Sequence, residues 1–170
     1  MLYMVEMDLA DRTRQAAWHD WYESHIRKLL KVDGFNGSQR FQCLTPTPSP
    51  FLAIHDVSGP EFFESAAYRN VGGPTGTGEW RDRMTNWYRN LFDGLEAMPD
   101  VGEDQRLVIA EEGGQVPEAR RADLTWLSGA GLDRSADRRG LLVLDAEDDE
   151  SAFLNAERVR VFRPISTKFR

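Results

Sequence analysis

The first third of the chain shows two successive hydrophobic patterns with different periods. Residues 2–9 are predicted to form a strand, because apolar side chains recur at every second position and put Tyr3, Val5, Met7 and Leu9 on one face, which should be directed at the core. From Asp11 the apolar residues recur every three or four positions, so Asp11 is predicted to cap a helix that reaches about Val32 and ends before Gly34. The stripe of this helix that should face the sheet consists of Trp18, Trp21, Tyr22, His25, Leu29 and Val32.

Three more strands and a second helix are predicted up to residue 95. Strands are expected at 35–44 and 51–57, on either side of the Pro-rich segment TPTPSP. Gly59-Pro60 opens a helix that runs from residue 61 to about residue 71, and the Gly-rich segment GGPTGTG ends it. Residues 79–95 have a helical period, but the fold inferred below requires a strand there. We therefore predict a short helix followed by a strand at about 87–93.

The second half has a similar order of elements. Residues 96–104 are acidic and rich in turn formers, which predicts an internal linker. Strand-like runs follow at 106–112, 123–131 and 140–146, then a short helix at about 149–157 and a last strand at 158–164. Residues 105–170 are thus predicted to be a degenerate copy of residues 1–95 that has lost its first helix. Only the order of elements supports this repeat.

A motif in the first half has the form W-Y-x-x-H-I and then a Gly-Phe turn into a strand; its residues are Trp21, Tyr22, His25, Ile26, Gly34, Phe35, Arg40 and Phe41. This motif resembles that of EthD-like proteins, which belong to the ferredoxin-like dimeric α/β-barrel superfamily. Further similarity is carried by Tyr68, Arg69, the Gly-Pro-Thr at 73–75, Trp80 and Arg83.

The resemblance implies an α+β fold built from a ferredoxin-like βαββαβ unit. Its antiparallel sheet would pack against another to form an α/β barrel with helices outside, so that neither sheet keeps an exposed face or edge. Members of this superfamily usually reach that state as homodimers. A chain with a second copy could instead close the barrel internally, and the sequence leaves both routes open.

Composition limits the classes of partner. With 170 residues and a net charge of −7, the chain lacks the basic surface that nucleic-acid binding requires, and Arg120-Arg121 and Arg138-Arg139 are predicted to be solvated turns. A single cysteine excludes an internal disulfide. The N-terminal segment is expected to be neither a signal peptide nor an anchor, and no apolar run approaches the ~20 residues that span a bilayer. We expect a cytoplasmic protein with a small-molecule substrate.

Two histidines are the leading candidates for catalysis. His25 lies on the apolar stripe of the first helix, and a buried imidazole suits general acid–base chemistry, although it could equally be a core residue bonded to a backbone carbonyl. His55 shares a strand face with Phe51, Ala53 and Val57, so it should have either a structural partner or a task. His19 falls off the stripe and is predicted to be exposed.

Aromatic and basic residues complete the predicted site. Tyr22 and Arg40 could orient a phenol or carboxylate of the substrate, Arg40 by a bidentate contact. Tyr68, Trp21, Trp80 and Trp87 are candidates for binding a flat aromatic ligand, although tryptophans more often belong to the core. Three scattered histidines have no standard zinc spacing, and no phosphate loop, Rossmann fingerprint or nucleophile elbow is present. We therefore predict neither metal nor cofactor.

These features favour a cofactor-independent enzyme that acts by proton transfer on a small aromatic or phenolic acid or lactone. A lyase, decarboxylase or isomerase is the leading interpretation, with His25 and His55 as acid–base partners. A cofactorless monooxygenase of the same fold is the second interpretation. A non-catalytic ligand-binding accessory protein is the third, because fold does not determine function.

Overall fold

The computed structural model describes residues 1–72 and 76–170 of the chain. The strands are β1 Leu2–Leu9, β2 Phe35–Cys43, β3 Phe51–Val57, β4 Met84–Asp93, β5 Arg106–Glu111, β6 Thr125–Leu132, β7 Arg138–Leu144 and β8 Val159–Pro164. The α-helices with described bounds are α1 Gln15–Leu29, α2 Ala66–Val71 and α3 Ser151–Leu154. Short 3₁₀ turns lie at Arg12–Arg14, Pro60–Glu64, Gly78–Trp80 and Glu118–Asp123.

The strands form one closed antiparallel barrel in the order β1-β3-β2-β8-β5-β7-β6-β4, with β4 returning to β1. Within each half the order is the same, because β4-β1-β3-β2 and β8-β5-β7-β6 both place the fourth strand beside the first and the third beside the second. The halves join through the pairs β2–β8 and β4–β6. Of the two routes that the sequence left open, this chain closes the barrel internally, so closure needs no second subunit.

Local sequence signals account for most of these elements. Asp11 caps the 3₁₀ turn that leads into α1 by accepting from the backbone N–H of Thr13, and α1 ends somewhat earlier than the predicted Val32. The ambiguous region forms the strand β4, as the fold required, but the helix expected before it is only a 3₁₀ turn. The second helix is likewise split into a 3₁₀ turn and α2. The predicted Gly-Pro-Thr match at 73–75 lies outside the described residues.

The core has three parts that follow from strand alternation. Inward side chains, Phe41, Ile54, Phe92 and Phe162 among them, fill the barrel. Outward side chains of the first half pack beneath α1. This cluster includes the face of β1 that the sequence predicted to be directed at the core. Outward side chains of the second half pack beneath α3 and the loop before β6.

The predicted linker is packed against the barrel rather than free. Met98 and Val101 are 3% and 2% exposed and belong to the inner cluster. The side-chain amide of Gln39 donates to the carbonyl of Val101 at 2.7 Å, and the backbone N–H of Val101 donates to Gln39 at 3.1 Å. Residues 96–104 therefore lack regular structure, yet they close one end of the barrel.

One end of the barrel interior holds a buried group of four charges that sequence analysis missed. Glu6 contacts Arg139 and Arg160, and Glu111 contacts the same two arginines at 2.9 and 3.0 Å. Burial raises the pKa of Glu6, but the two guanidinium groups outweigh it and hold that pKa below its ordinary value. The prediction that Arg139 lies in a solvated turn is wrong, because β7 directs its side chain inward to a position only 3% exposed.

Candidate functional site

A narrow cavity lies between α1 and the outer face of the first-half sheet. Strand β1 contributes Tyr3, Val5 and Met7 to its wall, and α1 contributes Trp21, Tyr22, His25 and Leu29. The remaining lining residues are His55, Tyr68, Thr77, Met84 and Trp87. The empty space is about 440 Å³ with the mouth included, but the centre of a water-sized sphere can move through only about 30 Å³. The cavity is thus a slot, and a ligand larger than a few waters requires its side chains to move.

A wider groove on the described part of the chain lacks comparable chemistry. It lies between residues 100–103 and 164–168 and gives the centre of a water-sized sphere about 410 Å³, against about 30 Å³ in the slot, but it has neither histidine nor aromatic side chains in its lining. The slot beneath α1 combines two histidines and three tyrosines with apolar walls. Such a combination of apolar surface and converging polar groups is typical of small-molecule sites.

His25 forms one wall of the slot. Its ring stacks on Trp21 with centroids 5.2 Å apart and planes 14° apart, and it meets Tyr22 edge-on at 6.4 Å. Burial, with a smaller effect from Lys28, lowers the pKa of His25 to about 4. The imidazole is therefore neutral near pH 7 and can accept a proton, although only weakly.

His55 lies on the opposite wall, on the strand face that the sequence predicted. Its Nδ1 atom is 2.8 Å from the hydroxyl oxygen of Ser38 on the neighbouring strand. Its ring lies between Tyr3 and Phe35, each with a centroid distance of 5.2 Å. Burial lowers the pKa of His55 to about 3, with further contributions from His25 and Arg40. This histidine is held in place and neutral.

Three tyrosines bring hydroxyl groups into the same slot. Burial raises the pKa of Tyr22 to about 12 and the pKa of Tyr3 well above its ordinary value. A hydrogen bond between the side chains of Tyr3 and Tyr68 adds to the effect on Tyr3. The phenols of Tyr3 and Tyr22 thus stay protonated at neutral pH and can orient a ligand oxygen.

Arg40 does not line the slot but lies behind Tyr22. Its guanidinium carbon is 4.3 Å from the centroid of the Tyr22 ring and 4.8 Å from that of Trp18. Its Nη2 lies 2.9 Å from Nδ1 of His19, which places it as the donor to a neutral imidazole. Burial lowers the pKa of Arg40 to about 10. From this position Arg40 can fix Tyr22 but does not reach into the slot.

The prediction that His19 is exposed is wrong. Its side chain is half-buried because it turns back against Arg40 and Phe51. Burial, and then the charge of Arg40, lower the pKa of His19 to about 4. His19 contacts a buried cation, Arg40, on a strand of the sheet. The periodicity of the sequence around His19 does not predict such a distant contact.

The aromatic candidates separate into two groups. Trp21, Tyr68 and Trp87 line the slot. Trp80 is buried but does not line the slot; its ring centroid is 6.0 Å from that of Trp21, and the guanidinium group of Arg14 lies over its ring. The indole nitrogen of Trp87 is buried and has no hydrogen-bond partner among residues 1–72 and 76–170. A donor of this kind in a pocket wall favours a ligand that carries an acceptor atom.

Sequence analysis missed two residues of the site. Tyr3 was placed on the core face of β1 but was not considered as chemistry. Ser38 pairs with His55 across β2 and β3, a register that only the folded sheet fixes.

Two kinds of feature are absent from the described part of the chain. No three His, Cys, Asp or Glu side chains within it converge as a metal site would require. No helix within it is both long and apolar enough to cross a bilayer.

Comparison with known proteins identifies the fold. No protein-family model and no curated protein matches the chain. The crystal structure of a candidate monooxygenase from Lactobacillus acidophilus aligns over 97% of this chain and 94% of its own, with a TM-score of 0.54 and 6% identity. An anthrone oxidase-like protein aligns over 98% of this chain and 92% of its own, with a TM-score of 0.52 and 10% identity.

At such low identity these similarities establish the fold alone. The chain is an α+β protein with a closed antiparallel barrel, which is consistent with the dimeric α/β-barrel superfamily. The narrower EthD-like assignment remains a prediction.

Proposed function

We propose that this protein is a cofactor-independent oxygenase or oxidase that acts on a small hydroxyaromatic substrate in the slot beneath α1. The observation that carries the proposal is that the neutral His25, protonated tyrosines and Trp87, whose indole N–H has no hydrogen-bond partner among the described residues, line one apolar slot. The two fold neighbours described as a monooxygenase and an anthrone oxidase-like protein favour oxygen chemistry over the lyase, decarboxylase or isomerase interpretation.

The chemistry follows from what these side chains can do. His25 accepts the proton of the substrate hydroxyl, and N–H and O–H donors stabilise the resulting oxyanion. An electron-rich aromatic anion can transfer one electron to O₂. Recombination of the two radicals then forms a C–O bond and a peroxide anion, which takes back the proton held by His25. Loss of water from this hydroperoxide gives a quinone. For a phenol the balance is one phenol and one O₂ to one quinone and one water, with O₂ as the oxidant.

The weak basicity of His25 makes oxyanion stabilisation necessary. A group whose pKa is about 4 removes a phenolic proton of pKa ~10 only at a large free-energy cost, since each pKa unit corresponds to ~1.4 kcal/mol. Donors aimed at the developing anion offset that cost. Tyr22, Tyr68 and Trp87 are proposed to supply them, with Trp21 as a stacking surface. Arg40 and Trp80 are proposed to act indirectly by fixing Tyr22 and Trp21.

The same geometry would serve proton-transfer chemistry without oxygen, so a lyase or isomerase is the second candidate. The test is oxygen uptake by dialysed protein with 1-naphthol and with anthrone, followed by mass analysis of the product formed under ¹⁸O₂. Label in the product and uptake that depends on His25 would support the proposal. A product formed at the same rate without oxygen would favour the second candidate, and no conversion of a wide hydroxyaromatic panel would favour a ligand-binding accessory protein.

We also propose that the two halves, residues 1–95 and 105–170, are ferredoxin-like units and that the second is a degenerate copy. Their identical strand order and the missing first helix of the second half support this. The slot lies in the half that keeps its long helix, because α1 supplies four of the lining residues.

A further inference from the structure

The contact between Ser38 and His55 bears on which of the two ring nitrogens of the histidine carries its proton. Both side chains are almost fully buried, at 0% and 2% exposed, and they lie directly opposite each other on adjacent strands. The hydroxyl oxygen of Ser38 is 2.8 Å from Nδ1 of His55, which is a full hydrogen bond. Because Tyr3 and Phe35 enclose the ring, the imidazole cannot turn away from this contact.

Two proton arrangements fit that distance, and they differ in what they leave unsatisfied. If Nδ1 carried the proton, Ser38 would accept it, and the serine proton would need another acceptor. Among the described residues, the hydroxyl of Ser38 has no hydrogen bond besides the one to His55. A buried hydroxyl proton without an acceptor is unfavourable. The arrangement in which Ser38 donates to Nδ1 pairs the hydroxyl proton and places the ring proton on Nε2, an atom that is not among the buried side-chain atoms without a partner.

We propose that Ser38 holds His55 in the tautomer that carries its proton on Nε2, so that His55 is a hydrogen-bond donor to a ligand oxygen and not a base. Ser38 is then a positioning residue, and the two histidines of the slot have different roles. His25 has no hydrogen bond to the described residues and keeps an acceptor nitrogen for the substrate proton. The role of His55 toward a substrate rests on the proposed function, whereas its tautomer does not.

The proposed tautomer requires a neutral His55, and the surroundings of the ring favour that neutral state. Besides Ser38, the groups packed near it are the rings of Tyr3 and Phe35, and burial, His25 and Arg40 all lower the pKa of His55. No carboxylate within the described residues bonds to the ring, so nothing stabilises a second proton.

The tautomer can be measured on the intact protein without any substrate. Long-range ¹H–¹⁵N spectra of histidine-labelled protein at neutral pH should show His55 with a protonated Nε2 and an unprotonated Nδ1. In Ser38→Ala this preference should be lost, whereas Ser38→Thr keeps a hydroxyl and should retain it. A proton on Nδ1 in the unsubstituted protein would overturn the proposal.

The donor role is tested with 4-nitrophenol, whose anion has its own visible absorption. If His55 donates to the oxyanion, the bound phenol should ionise more readily than the free phenol. Ser38→Ala should weaken anion binding by about tenfold, the usual effect of losing one hydrogen bond to a charged group, and Ser38→Thr should restore it. Equal ionisation in all three proteins would refute the donor role. Failure of turnover together with an intact tautomer and anion shift would reject only the oxygenase proposal.

Discussion

His25 stacks on Trp21 with ring planes 14° apart, so the candidate base is oriented by its own helix. The two residues are four positions apart on α1, the spacing that brings side chains onto one face of a helix. The indole covers one face of the imidazole and separates it from solvent. This contact contributes to the burial that lowers the pKa of His25.

Substitution of His25 tests the catalytic assignment. In His25→Gln we expect the rate to fall by roughly 10²–10⁴-fold while the unfolding temperature changes little, because a positioned base is lost but a polar side chain is kept. The matched control is His19→Gln, since His19 lies outside the slot and glutamine can still accept from Arg40. Turnover and thermal unfolding are measured on the same preparations. A His25 variant that is less stable but fully active contradicts the assignment.

The dependence of rate on pH follows from the lowered pKa of His25. A base with a pKa of about 4 is already neutral at pH 6, so kcat/KM should not fall as the pH decreases through 6.5. We expect the acidic limb close to pH 4, near the limit at which the protein remains folded. Initial rates with 1-naphthol, together with far-ultraviolet circular dichroism at each pH, provide the measurement. An acidic limb at about pH 6.5 would indicate an imidazole open to water.

Folding stability should decrease as the pH falls below about 6.5. The pKa values of His19, His25 and His55 are all lowered in the folded protein, so the unfolded chain takes up protons that the folded chain refuses. The buried His55 contributes a slope of ~1.4 kcal/mol per pH unit between its unfolded and folded pKa values, and the partly exposed His19 and His25 contribute less. Urea unfolding between about pH 5 and pH 7 measures the slope. In His55→Gln the slope should decrease by about the contribution of one histidine, and an unchanged slope would contradict the burial of His55.

The buried charges in the barrel should be sensitive to the loss of one partner. In Glu6→Gln we expect a loss of about 3–5 kcal/mol, because the buried Arg139 and the partly buried Arg160 keep a positive charge that is no longer balanced. Glu118→Gln is the control, since its ion pair with Arg121 is exposed and should contribute less than ~1 kcal/mol. Denaturant unfolding of both variants gives the comparison. Similar losses in the two proteins would mean that Glu6 is hydrated.

Barrel closure within the chain predicts the behaviour of the isolated first half. Residues 1–95 alone lack the partners of β2 and β4, which are β8 and β6 in the whole protein. The inner face of that sheet, with Phe41 and Phe92, would be exposed to water. We therefore expect the fragment to dimerise or aggregate, as measured by analytical ultracentrifugation and circular dichroism. A monomeric fragment that unfolds cooperatively would show that closure is not required.

The sequence by itself determined most strands and the long helix, together with the residues that share one face of these elements. Alternation placed Tyr3 and His55 each on an apolar strand face, and the helical period placed Trp21 and Tyr22 on the buried side of α1, because these are properties of neighbouring residues. It also located six of the residues that line the slot, which are Trp21, Tyr22, His25, His55, Tyr68 and Trp87. Its errors about His19 and Arg139 arose where local polarity suggested solvent.

Tertiary structure alone decided which elements meet, because pairing between distant strands is not encoded in any local period. It brought Ser38 opposite His55, placed Arg40 behind Tyr22 instead of in the slot, and joined charges from four strands inside the barrel. It also decided that the barrel closes within one chain. Each of these outcomes depends on register and strand order, and a shift of one residue in register would direct the same side chains to the opposite face of the sheet.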